Sequence, residues 1–165
     1  MTISLNARLD EQVRFVQATT MESDWTGATW VSMKNYRRLT IIMDALTTGS
    51  VSGGVVTLNQ ATTITAGSAK ALNFSRIAIC EALTTAQTEV AQALVETVVV
   101  SNTFSAAEPT GKRLRYVIEV SSNDLDVALG FDCVRVVSTA LGNAKGVINY
   151  ILWGARYSGS SVMIN

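Results

Sequence analysis

Between Tyr36 and Ala45 the chain reads as a β-strand on its own terms. Arg37, Leu39, Ile41, Met43 and Ala45 alternate with Tyr36, Arg38, Thr40 and Ile42, and a period of two puts the two sets on opposite faces of a sheet. The same period returns at Tyr116–Ser121, where Tyr116, Ile118 and Val120 alternate with Val117 and Glu119. Val, Ile and Thr are abundant and proline occurs once, at Pro109, so β is the default class for the whole chain. Further strands are predicted at Trp30–Met33, Val55–Ala61, Ala69–Cys80, Leu94–Phe104, Phe131–Ser138 and Val147–Tyr157. Within Ala69–Cys80, Leu72, Phe74, Ala78 and Cys80 are expected on one face, with Asn73 and Ser75 on the other, while Ile77 and Ile79 break the alternation late, which suits burial on both sides. Turn chemistry fills the gaps at Thr47–Gly54, Ser105–Gly111, Ser121–Asp124 and Leu141–Ala144. This spacing of strands and turns predicts an all-β, two-sheet β-sandwich, with jelly-roll topology as the first expectation. At most one short helix competes with strand, over Thr84–Val95, where Thr84 and Gln87 have the spacing of a capping box.

Residues 1–27 have no consistent period and are expected to form an extended N-terminal arm, followed by the sandwich domain over 28–165. Leu5, Leu9 and Val13 are spaced by four, so a short amphipathic helix is the rival for that stretch. Either form needs another surface to cover its apolar side chains. The 13 Lys and Arg residues balance 13 Asp and Glu residues, and the charged share is only 16% against 48% hydrophobic residues. A chain with so little charge is poorly protected against association, which points to life in an assembly. The zero balance also disfavours nucleic acid as a partner, because that binding draws on an excess of basic residues. No apolar run approaches the ~20 residues that span a bilayer, so no membrane partner is expected. Met1–Arg14 carries Arg8, Asp10, Glu11 and Arg14 where a secretory leader would be apolar, so synthesis in the cytoplasm is expected.

Histidine is absent, which removes the commonest general base and the commonest metal ligand together. Paired carboxylates alone could run a glycosidase, but none of the 13 acidic residues sits in a recognisable motif of that kind. No enzymatic activity, catalytic residue, cofactor or metal is therefore expected. Asp124 and Asp126 beside Asn123 could offer oxygen ligands to calcium, yet they lack EF-hand spacing and fit a turn capped by Asx side chains better. The glycines of the 49–54 stretch lack the following GK[ST] of a phosphate loop and fit a hairpin turn. Cys80 and Cys133 form no CxxC motif; they are read as buried thiols in strands, with a single bridge between two distant strands as the alternative. Trp25, Trp30 and Trp153, with Tyr36 and Tyr157, are candidates for a sugar-stacking platform or for burial in a core or subunit interface. Leu5, Leu9, Phe15, Val16, Trp25 and Trp30 are the candidate interface residues.

The segments VSMKNYRRLTIIM at 31–43, VVTLNQATTITAGSAKALNF at 55–74, RYVIEVSSNDLDVALGFDCVRV at 115–136 and YILWGARY at 150–157 together resemble small virion structural proteins of tailed bacteriophages. The resemblance covers most of the chain beyond the arm and carries over no functional residue. It implies a capsid decoration or cement protein made in the host cytoplasm and incorporated in the virion, or else a neck, collar or tail component. Its partners would be further copies of itself, with a trimer favoured, and the major capsid protein or other virion proteins. A jelly-roll carbohydrate-binding module is the competing class.

Overall fold

The computed structural model describes residues 13–20, 25–47, 51–82, 95–108, 113–140 and 144–155. Eleven strands occur among them: β1 Val13–Gln17, β2 Val31–Ser32, β3 Tyr36–Thr47, β4 Val51–Ala61, β5 Lys70–Ala71, β6 Phe74–Ala82, β7 Val95–Ser101, β8 Thr103–Glu108, β9 Arg113–Ser121, β10 Cys133–Ser138 and β11 Ala144–Ala155. A single 3₁₀ turn, Val127–Leu129, is described beside them. The strands form two antiparallel sheets, one ordered β1-β11-β3-β9-β6-β7 and the other β2-β10-β4-β5, with β8 also pairing β4. The chain is thus an all-β two-sheet sandwich, as the alternation predicts. From β7 to β11 successive strands change sheet at every step, the crossing habit of Greek-key sandwiches.

The period-two pattern explains the core. Leu39, Ile41 and Met43 of β3, Tyr116, Ile118 and Val120 of β9, and Ile148, Tyr150 and Leu152 of β11 point inward from the first sheet. Val56 and Leu58 of β4 and Val134 and Val136 of β10 meet them from the second. The Tyr150 hydroxyl crosses the interior and accepts a hydrogen bond from the Val136 amide at 3.0 Å, which satisfies two polar groups in a fully buried place.

Several local readings change. Ala69–Cys80 is two strands: β5 pairs with β4, and the chain then crosses to the other sheet and begins β6. A register shift between Phe74 and Arg76 turns Ile77 and Ile79 inward, so Ala78 and Cys80 face out rather than sharing the buried face with Phe74. Leu94–Phe104 likewise breaks at Asn102 into β7 and β8 on different sheets, and Val51–Gly54 and Ser105–Glu108, both read as turn, belong to β4 and β8. The expected helix lies outside the described residues apart from Val95, which opens β7.

The arm also changes in meaning. Over its described part it is built into the sandwich of its own chain. Val13–Gln17 pairs antiparallel with β11, the Ala18 amide donates to the Ile148 carbonyl at 2.7 Å, and the Ile148 amide donates to Thr19 Oγ1 at 2.9 Å. Trp25 is fully buried, at 0% exposure. The boundary at residue 27 therefore does not separate an arm from a body among the described residues. Leu5 and Leu9 lie outside them.

Candidate interaction surface

The outward set of β3, β9 and β11 makes one broad face, because every residue between two inward-facing ones points away from the core. Along its β1 end Phe15 lies opposite Ile151, and Val13 lies opposite Trp153. Phe15 is 60% exposed and Trp153 41%, so two aromatic rings stand at the surface within cross-strand reach of each other. Trp153 Nε1 donates to Thr40 Oγ1 at 2.9 Å, and Thr40 Oγ1 donates to Glu119 Oε1 at 2.7 Å. That relay fixes the indole edge over β3 and leaves ring surface outward. Further along, Ile42 lies opposite Val117, and Arg115 forms a two-point pair with Asp44 at 2.6 and 3.2 Å. The hydrogen bond that Arg115 donates to Asp44 raises the Arg115 pKa. The face therefore combines an apolar end with one neutralised charge pair, Asp44–Arg115, and the exposed Arg38 and Glu119, a mixture suited to another protein surface.

The other candidate residues separate clearly. Val16 is turned inward and packs on the core. Trp25 cannot contact a partner, since its ring is enclosed by this chain; burial in the core is the correct one of its two readings. Trp30 is half-buried on the second sheet, where the Arg135 guanidinium lies over its ring at 5.0 Å. Sugar-stacking by the three tryptophans together is thereby overturned, because they occupy the core, the second sheet and the first sheet's outer face.

Asp124 accepts from the Ser121 amide at 2.8 Å, and Asp126 is paired with Lys70 and hydrogen-bonded to Gln60. These carboxylates cap a turn and tie β4 and β5 to it, as the capped-turn reading expects. Two small clefts are described. One of about 160 Å³ has Lys34 and Asp132 as its charged lining, and one of about 310 Å³ is lined mainly by threonines 19, 20, 26 and 29.

Cys80 and Cys133 are not bridged: Cys80 is on the outer face of β6 opposite Arg115, and Cys133 opens β10 in the other sheet. Cys133 Sγ donates to Asp132 Oδ1 at 3.0 Å, and burial, reinforced by that carboxylate, pushes the thiol up to about 12. A folded-state pKa above the unfolded one favours the protonated native form. The contribution is full below about pH 9 and is lost as pH rises toward about 12. Urea unfolding at pH 8 and pH 11 is expected to show a falling stability in the native chain and a shallower fall in Cys133→Ala. Equal slopes in the two would remove Cys133 as the cause.

The sequence pointed to Phe15 and missed Ile151, the Trp153–Thr40–Glu119 relay and the exposed valines of β7. The relay pairs residues 79 and 113 positions apart, so no local pattern contains it. The Val98–Val100 run was visible, but exposure of a strand depends on whether it is an edge. A scan against protein-family models finds no match, and no curated protein matches the chain.

Proposed function

We propose that this chain is a non-enzymatic structural protein of a bacteriophage virion, a capsid decoration or cement protein that stabilises the head by seating between capsomers. The observation that carries the reading is the exposed Phe15–Trp153 end of the first sheet's outer face, presented by a sandwich whose strands are locked by long-range pairing. The resemblance of four segments to small virion proteins supplies the setting. The partners on this reading are further copies of the chain and the major capsid protein.

The test is the mass of the purified chain by size exclusion with light scattering, over at least a tenfold concentration range. A trimer that Phe15→Glu weakens at least tenfold, with the folded spectrum retained, is the expected result. Rings of six or twelve would move the assignment to a neck, collar or tail protein. A monomer at every concentration, indifferent to Phe15→Glu, would remove self-assembly from the proposal. The exposed ring of Trp153 beside Phe15 is the feature that favours a carbohydrate module; glycan binding lost in Trp153→Ala would establish that alternative.

A further inference from the structure

The first sheet ends at β7, which has β6 on one side and no described strand on the other. Its outer backbone N–H and C=O groups form an open row whose natural complement is another strand. The other described edges are β1, β2, β5 and β8. β8 pairs only with β4, but it turns Phe104 and Ala106 toward the core and Ser105 outward, so it presents no apolar row. β2 and β5 are two residues long, β5 carries Lys70, and β1 carries Arg14. β7 has the sequence VETVVVS and no such guard apart from Glu96 near its start. Val98 is 76% exposed and Val100 94%, both on the outward side that Arg76 shares through its pairing with Val98. A long valine-rich edge is what folded proteins avoid leaving open.

We infer that β7 is a homotypic docking edge, pairing antiparallel with β7 of a second copy to run the two six-stranded sheets into one. A second copy fits because an antiparallel strand pair about a twofold axis is complementary to itself, and the chain's zero net charge sets up little repulsion between copies. The register follows from the side chains. A twofold axis at Glu96 would set like charges opposite each other, and one at Val98 would set each Glu96 against Val100 of the partner. An axis at Val99 instead places Val98 opposite the partner's Val100 on the outer face, and Thr97 opposite the partner's Ser101. Glu96 then falls outside the paired block and keeps its ion pair with Arg76, 3.2 Å away in the same chain. This pairing stands on the edge alone and extends beyond the proposed virion role.

The experiment mixes two full-length variants, Val98→Cys and Val100→Cys, under mild oxidation, with the native chain as blank for Cys80. The mixture is expected to give several-fold more covalent dimer than either variant alone, because residues 98 and 100 face each other only between copies. In parallel, Val98→Lys is expected to halve the mass seen by light scattering by removing the β7 contact, leaving the Phe15-dependent association in place, while its circular dichroism is unchanged. No covalent dimer in a folded mixture overturns the pairing, and so does equal linkage in every sample. An open ladder of oligomers that persists in Phe15→Glu overturns it too, since a twofold edge acting alone closes after two copies. A trimer that Phe15→Glu weakens and Val98→Lys leaves intact would sink the β7 inference while sustaining the virion reading.

Discussion

Replacing Trp25 by alanine is expected to cost about 3–5 kcal/mol, the usual loss when a large aromatic side chain leaves a core. That is a large part of the stability of an ordinary domain. The indole meets the Tyr116 ring edge-on, with centroids 5.9 Å apart at 84°, and its Nε1 donates to the Asp44 carbonyl at 3.1 Å. Both contacts go to the first sheet, so the loss falls on β3 and β9 rather than on the local turn. The backbone adds a second effect. Trp25 has φ of 67°, a left-handed conformation that costs a non-glycine residue roughly 1–2 kcal/mol and is held here by the packing of its ring. Trp25→Gly relieves that strain as it removes the ring, so it should be no worse than Trp25→Ala, against the ordinary order of the two residues. Urea denaturation of both variants checks this; an alanine variant within about 1 kcal/mol of the native chain would contradict the role given to the indole.

Gly146→Ala is expected to be as severe, for the opposite reason. A Cβ at this position would stand 2.0 Å from the Asp44 carbonyl oxygen, 2.6 Å from Trp25 Nε1 and 2.9 Å from Ala45 Cα. Two of the three obstacles are backbone of β3, to which β11 is paired from Ala144 to Ala155, so relief means opening the ladder. Overpacking of cores typically costs 1–3 kcal/mol, and a clash with backbone belongs at or beyond the top of that range. Gly27→Ala is the comparison: its φ is 74° but nothing lies within 4 Å, so a cost near 1 kcal/mol is expected from conformation alone. Thermal unfolding of the two variants should therefore differ by many degrees. Gly146→Ala and Trp25→Ala both act at the Asp44 carbonyl, so their effects in a double variant should not add.

What the sequence disclosed follows the range of the interactions concerned. Tyr36–Ala45 and Tyr116–Ser121 were legible because each strand has one face in the core, and burial writes the alternation into neighbouring residues. Ala69–Cys80 was misread because a register shift reverses facing without changing composition: Ile77 and Ile79 looked like exceptions and are the inward residues. The place of Val13–Gln17 was hidden for a different reason. Its partner strand begins at Ala144, and pairing over that separation leaves no periodic trace in five residues. The candidate surface was half legible. Phe15 stood out as an apolar residue in a polar stretch, while the exposure of Val98 and Val100 depends on β7 being last in its sheet, which topology decides.

The position of β11 bears on how the chain is made. It is the last strand of the described sequence, yet it lies between β1 and β3 in the six-stranded sheet. During synthesis, β1 waits without its partner and β3 keeps one side open until Ala144–Ala155 has left the ribosome. The nascent sandwich is then a split sheet with one edge of β3 unpaired and Leu39, Ile41 and Met43 without Ile148, Tyr150 and Leu152 beside them. Insertion of one late strand between two early ones is slow, since it depends on contacts distant in sequence, and the waiting surfaces invite chaperones or aggregation. A ribosome-stalled chain ending before β11 should accordingly be open to protease where the released chain is closed.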